Sequence, residues 1–216
     1  MIILVGGEKG GTGKTTISTN LAALMMEKQE DVLLMDTDKQ GSASAWCAVR
    51  GEHAGVKRIP SIQKFGMGLS DEIKELSGRY KNIIIDAGGR DSIELRSAMT
   101  VADKIFIPLQ ASQFDVWTIA AMDNLVSLAK PMNQNLKAFL IINRASTNPG
   151  VSESKDVMEM CEDIEHLTIL SCILHDRIAY RKAAQRGLAV FEIDQPDNKA
   201  VLEIESFYKE VRDNNG

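Results

Sequence analysis

The residues best placed to do chemistry lie at three points of the first 90. The first is Glu8-Lys9-Gly10-Gly11-Thr12-Gly13-Lys14-Thr15-Thr16, which holds three glycines followed by a lysine and two hydroxyls. Glycines allow successive backbone N–H groups to converge on an anion, and a helix N-terminus adds its positive dipole end. Lys14 would then reach the β- and γ-phosphates of a nucleotide, and the Thr15 hydroxyl would ligate Mg²⁺. The second is Asp36-Thr37-Asp38. Carboxylates two apart on an extended segment point the same way. Near a phosphate they can hold the waters of a Mg²⁺ ion and orient an attacking water. The third is Ile83-Ile84-Ile85-Asp86-Ala87-Gly88-Gly89. An acid ending an apolar strand is the Walker B arrangement, a ligand of Mg²⁺ directly or through water. The two glycines that follow suit a switch that senses the γ-phosphate.

These groups need rigid elements to place them. Met1 to Val5 reads as a strand ahead of the glycine loop, and Ile17 to Lys28 as a helix after it. Asp31 to Asp36, Asn82 to Asp86, Lys104 to Leu109, Leu136 to Asn143 and Leu167 to Leu174 are further apolar runs. Such runs suit strands covered on both faces, as in a parallel sheet. Helical patterns lie between them at Ala43–Val49, Ser70–Leu76, Ser92–Ala102, Asp115–Lys130 and Ser152–Ile164. This alternation predicts a doubly wound α/β fold, with a mostly parallel sheet flanked by helices. Ligands of such sheets sit beyond the carboxyl ends of the strands, where Lys14, Asp36, Asp38 and Asp86 all fall. Gly51–Gly55 and Ala145–Gly150 read as loops.

The 216 residues suit one domain, 1–216, and 44% hydrophobic with 25% charged residues is ordinary for a soluble globular chain. No apolar run approaches a membrane span, and no basic segment precedes the first strand as in a signal peptide. Cys47, Cys161 and Cys172 have no C-x-x-C spacing, which suits reduced thiols in a cytoplasmic protein. The net charge of −5 means that any nucleic acid must meet a local basic patch.

The string Lys9-Gly10-Gly11-Thr12-Gly13-Lys14-Thr15 resembles the deviant Walker A loop of the ParA/MinD group of ATPases, with Glu8 where an ordinary P-loop has glycine. Asp36-Thr37-Asp38-Lys39-Gln40 resembles the segment that follows in ParA proteins, with Lys39 in place of their usual proline. Gly88-Gly89 stands where that family commonly has prolines. Ile107 to Asp115, Asn143-Arg144 and Gly187 to Val190 fit more loosely. The resemblance covers nearly the whole chain and implies a P-loop NTPase fold and Mg²⁺-dependent ATP hydrolysis. It implies that Gly10, Gly11, Thr12, Gly13, Lys14, Thr15 and Thr16 cradle the nucleotide and that Asn143 meets the adenine. Lys9 would cross a dimer interface to the partner's nucleotide. Asp38 would position the water, while Thr15, Asp36 and Asp86 form the metal shell. The loop begins so near Met1 that the short type is expected, without an N-terminal helix-turn-helix. The implied work is partition of a plasmid or chromosomal segment, and the implied partners are nonspecific DNA, a second copy in the presence of ATP and a ParB-like adaptor. The implied place is the cytoplasm, at the nucleoid in the ATP state.

Arg177 to Arg186 holds four cations in ten residues. At about 100° per residue, Arg177, Arg181, Lys182, Gln185 and Arg186 share one half of a helix, with Ala179, Tyr180, Ala183 and Ala184 opposite. Arg177, Arg181, Lys182 and Arg186 are therefore the DNA-binding candidates. Ile178 is expected to precede the first turn. Near the C-terminus, Val201, Ile204, Tyr208 and Val211 recur at helical spacing beside Phe207. Lys199, Lys209 and Arg212 are matched there by Glu203, Glu205 and Glu210, which gives no net attraction to anionic lipid. That favours a helix packed on the core over a MinD-like membrane anchor. The cysteines lack the spacing of an iron–sulfur reductase. A metabolic ligase of the same fold, such as a dethiobiotin synthetase, remains the other reading.

Overall fold

The computed structural model describes residues 1–110, 116–148, 150, 157 and 164–213. The apolar runs become strands β1 (Ile2–Val5), β2 (Val32–Asp36), β4 (Asn82–Asp86), β5 (Lys104–Gln110), β6 (Lys137–Ala145) and β7 (Thr168–His175). With β3 (Ser61–Gln63) they form a seven-stranded sheet in the order β3-β2-β4-β1-β5-β6-β7. Every pairing is parallel. β3 was not anticipated. It is a three-residue edge strand with half-buried or exposed side chains, so no apolar run marks it.

Alternation along the strands divides the core in two. Leu4, Leu33, Met35, Ile83 and Ile85 face one layer, packed by α3 (Leu69–Ser77), α4 (Ile93–Met99) and α5 (Val116–Ala129). Ile3, Val5, Val32, Leu34 and Ile84 face the other. That side is covered by α1 (Lys14–Glu27), α2 (Ser42–Arg50), α6 (Ile178–Gln185) and α7 (Asn198–Asp213). Burial on both faces is what the unbroken apolar runs require. β1 sits between β4 and β5, so the chain order reverses at its carboxyl end, where a ligand crevice opens in such sheets.

Several boundaries moved. α1 begins three residues before the expected start, because Gly13 in a left-handed conformation (φ 92°) starts the helix. α4 is shorter than expected, capped by the Ser92 hydroxyl, which accepts from Leu95 N at 3.1 Å. The expected helix Ser152–Ile164 lies outside the described residues except at Val157 and Ile164. In α7, Ile204, Phe207 and Val211 are buried in the core, together with Ala200. Lys104 Nζ donates to Val211 O at 2.6 Å and satisfies a carbonyl at the end of α7.

α2 is anchored at its far end by Arg50, whose side chain is 2% exposed. Its guanidinium donates to both Glu192 oxygens at 2.7 and 2.6 Å, and to Gly187 O at 3.3 Å. Trp46 Nε1 donates to Leu188 O at 3.3 Å. Gly187 has φ 63° and leaves no space for a side chain against the Arg50 backbone. Replacing only one member of a buried pair leaves a stranded charge. Arg50→Met should therefore lose about 3–5 kcal/mol of stability. Arg50→Met/Glu192→Leu should recover most of it in chemical denaturation, and equal losses in both variants would show that the charge pairing is not what matters.

Candidate functional site

β1 ends at Val5, and Gly6 N donates to Phe106 O at 3.1 Å as the chain leaves the sheet. The loop then runs to Gly13, and Ile17 N returns to Gly13 O at 3.1 Å. Lys14, first in α1, folds back beneath the loop, with Nζ donating to Lys9 O at 2.8 Å. Burial pushes the Lys14 ammonium below its ordinary range, while Asp86 and Asp38 pull it back up. The Asn143 amide braces the loop by donating to Thr12 O at 2.6 Å. The Asn143 amide nitrogen thus faces the loop backbone.

Beneath the loop lies Asp86, 1% exposed. Its carboxylate accepts from Thr15 Oγ1 at 2.7 Å and from Ser18 Oγ at 2.9 Å. Thr15 and Ser18 are three apart on α1 and so share a face. Ser18 was missed in the sequence, although that spacing was there to see. Burial pushes the Asp86 carboxyl up to about 7, against the opposing pull of the two hydroxyls. Asp36 pairs with Asp86 across β2 and β4. Its oxygens accept from Asp38 N at 3.0 Å, Ser44 N at 2.8 Å and Ser44 Oγ at 2.9 Å. Asp36 therefore ties the loop after β2 to the start of α2. Asp38 lines the cleft, with Oδ1 accepting from Gln40 N at 3.0 Å.

The loop after β4 runs hard against both neighbours. A Cβ on Gly89 would lie 2.7 Å from Gly10 Cα and 2.8 Å from Gly10 N. One on Gly88 would lie 3.4 Å from Asp38 Cγ. The glycines that replace the family's prolines thus permit a close backbone approach. Glu8, beside Lys9, has its carboxyl pushed up by burial and by Asp91. These segments wall a cleft of about 900 Å³ floored by Lys14, Thr15 and Thr16.

The residues fit a magnesium nucleotide. A buried acid with hydroxyl donors, a buried lysine and a glycine loop at a helix N-terminus suit a polyanion with its cation. Among the described residues no group of three or more His, Cys, Asp or Glu gathers as a metal cage. Mg²⁺ commonly takes one or two protein ligands and completes its shell with phosphate and water. Thr15 and Asp86 would supply them.

The basic segment lies elsewhere, on α6. Arg181, Lys182 and Arg186 are exposed, and Ala179, Tyr180 and Ala183 are buried. Arg177 departs from the expected face. It precedes α6, turns inward and donates to Glu203 Oε1 from Nε at 2.9 Å and from a terminal nitrogen at 2.7 Å. Ala184 is exposed, and Ile178 opens the first turn with its side chain in solvent. Cys47 and Cys172 are free thiols, and Cys161 lies outside the described residues.

A model of the CobQ/CobB/MinD/ParA nucleotide binding domain matches residues 3–190. The "Maintenance of carboxysome distribution protein A" of Halothiobacillus neapolitanus is 26% identical over 212 residues, 97% of this chain and 95% of that protein. The chromosome partitioning protein ParA of Caulobacter vibrioides is 25% identical, over 97% of this chain and 85% of that one. In structure, apo McdA of Cyanothece superposes with a TM-score of 0.79 at 18% identity, covering 98% of each chain. The cell division protein MinD of Aquifex aeolicus gives 0.71 at 18% identity, over 98% of this chain and 96% of that one.

Asp86 makes the stability of the nucleotide-free protein depend on pH. Its carboxyl titrates at about 7 when folded and at 3.8 in an unperturbed chain. Between those values the folded state holds a proton that the unfolded chain has lost. The Asp86 contribution is therefore most favourable below about pH 4, falls by up to roughly 1.4 kcal/mol per pH unit toward 7, and then levels off. Asp86→Asn keeps an acceptor without the charge. Its melting temperature should exceed the parent's by a margin that widens from pH 5 to pH 8, and a constant margin would contradict this.

Proposed function

The chain belongs to the CobQ/CobB/MinD/ParA nucleotide-binding domain family, and on that premise we propose that it is a Mg²⁺-ATP-dependent, dimerising ATPase that positions a cargo. The observation that carries this reading is the glycine loop closed over Lys14 and over the Thr15–Asp86–Ser18 cluster at the floor of an open cleft. Lys14 and the loop amides would hold the β- and γ-phosphates, and Thr15 with Asp86 would hold the cation. A bound Mg²⁺ neutralises charge on the phosphate oxygens. Asp38, beside Gly88, would orient the attacking water. Lys9, whose carbonyl receives Lys14, would extend its own side chain to a partner's nucleotide. Two copies would then close face to face when ATP is present.

The cargo reading draws on the relatives, one of which distributes carboxysomes and another of which partitions chromosomes, according to their names. Nonspecific DNA serves as the track, and an adaptor on the cargo, ParB-like in role, stimulates hydrolysis. The protein would then act in the cytoplasm, held on the nucleoid in its ATP state. The DNA surface is α6, through Arg181, Lys182 and Arg186. Arg181 pairs with Asp176 at 2.9 Å and Arg186 with Asp194 at 3.2 Å. Exposed pairs of this kind are weak and can yield to a phosphate. A membrane track is disfavoured, since α7 packs Ile204, Phe207 and Val211 inward.

Two variants separate the roles in the nucleotide cycle. Lys9→Ala should bind ATP as the parent does yet sediment as a monomer, while Asp38→Ala should bind ATP, hydrolyse it slowly and accumulate as a dimer. A Lys9→Ala protein that dimerises and turns over normally would make Lys9 an ordinary loop residue. Parental turnover in Asp38→Ala would move the water-orienting role to another carboxylate.

DNA binding should require ATP, ignore sequence and fall steeply with salt. Arg181→Ala/Arg186→Ala should lower DNA affinity roughly tenfold in low salt while ATP-driven dimerisation stays intact. Unchanged binding by the double variant in a filter assay would remove α6 as the DNA surface.

A further inference from the structure

Four cationic side chains line the cleft: Lys14, Lys39, Arg90 and Arg144. Lys14 is held on Lys9 O, and Lys39 faces Glu94. The two arginines have neither a hydrogen bond nor an ion pair among the described residues. The acid next to Arg90 is not available to it, because Asp91 is gripped by both forks of Arg96 at 2.7 and 2.6 Å. Exposed cations directed into a pocket for a polyanion, without internal partners, are poised for that ligand.

The two arginines stand at opposite ends of the glycine loop. Arg90 follows Gly88 and Gly89, which press on Asp38 and on Gly10. That is the end at which Asp38 and Lys9 gather and the terminal phosphate would lie. Arg144 sits at the other end, beside Gly13, with Nε 3.7 Å from where a Gly13 Cβ would be. Its backbone is left-handed (φ 53°), which non-glycine residues rarely adopt. The pairing of β6 with β7 shifts register between Ile142 and Ala145, and Arg144 lies within that irregularity. Bulges of this kind re-aim a side chain, here over the start of α1. Asn143, one residue earlier, is occupied by Thr12 O.

We propose that Arg144 holds the nucleoside-proximal phosphate, and that Arg90 meets the charge that builds on the terminal phosphate during hydrolysis. The second half rests on the ATPase reading above. In that reaction water oxygen bonds to the γ-phosphorus. The bond to the β–γ bridging oxygen breaks, its electron pair leaves on ADP, and one proton passes to solvent. A guanidinium beside the γ-phosphate stabilises charge that is larger in the transition state than in bound ATP. One beside the α-phosphate binds ADP and ATP alike and leaves the chemical step unchanged.

ADP and ATP affinities and single-turnover cleavage at saturating ATP distinguish the two roles. Arg144→Ala should weaken ADP and ATP equally, by roughly tenfold. Its single-turnover rate should stay within about twofold of the parent. Arg90→Ala should leave ADP affinity within about twofold and slow cleavage by roughly a hundredfold. Arg90→Lys should restore part of the rate, since charge returns without the planar fork. Parental ADP binding by Arg144→Ala overturns the first assignment. Parental cleavage by Arg90→Ala, or a loss of ADP affinity as large as its loss of rate, overturns the second. A parent protein that binds ADP but cannot cleave ATP sinks the hydrolysis reading and the role of Arg90 with it, while the ADP arm still decides Arg144.

Discussion

A carboxylate taken out of water, with two hydroxyls as its hydrogen-bond donors, is the constraint around which this site is built. Asp86 ends a strand covered on both faces, so water cannot solvate its charge. Burial without a full counter-charge raises its pKa to about 7. Thr15 and Ser18 reach it from the first two turns of α1 and fix how that helix sits on the sheet. That position in turn sets where the glycine loop and Lys14 lie. Nucleotide-free, the cluster is an acid balanced between neutral and charged forms. With a cation and phosphates it would become a compensated one, which is why the same residues serve folding and binding.

Around this centre, loops from several strands are fastened to one another rather than to solvent. Asp36 ties the loop after β2 to the start of α2 through Ser44. Gly89 lets the loop after β4 lie on Gly10, and Asn143 ties the end of β6 to Thr12. A γ-phosphate entering beside Asp38 and Gly88 would therefore press on segments already in contact. α2 extends the connection, since its far end is locked by Arg50 to Glu192 and to Gly187, the residue that ends the turn after α6. One rigid element thus spans from the cleft to the helix that carries the exposed cations.

Much of this was legible in the sequence, for physical reasons. Strands buried on both faces must be apolar throughout, so β1, β2, β4, β5 and β6 announced themselves, while β7, an edge strand with one face only partly covered, was still marked by its apolar run. The glycine loop was readable because phosphate cradles need glycines and a lysine at fixed spacing. What escaped depended on partners distant in sequence. β3 is a three-residue edge strand that offers the core only the half-buried Ile62. Arg177 read as a surface cation because Glu203 lies on another helix, 26 residues away. Nothing local shows that the Asn143 amide finds a carbonyl 131 residues earlier. Likewise only the fold reveals that the Asp38 and Ser44 N–H groups meet the Asp36 oxygens.

The site's chemistry depends on the charge state of Asp86 when a magnesium nucleotide enters the cleft. Calorimetric titration of Mg-ADP at pH 7, in two buffers of different ionisation enthalpy, measures it directly. With a carboxyl pushed up to about 7 by burial, binding that completes its ionisation should release protons, so the apparent heats must differ between buffers. Identical heats in the two buffers, or net proton uptake, would mean that Asp86 does not ionise against a bound cation.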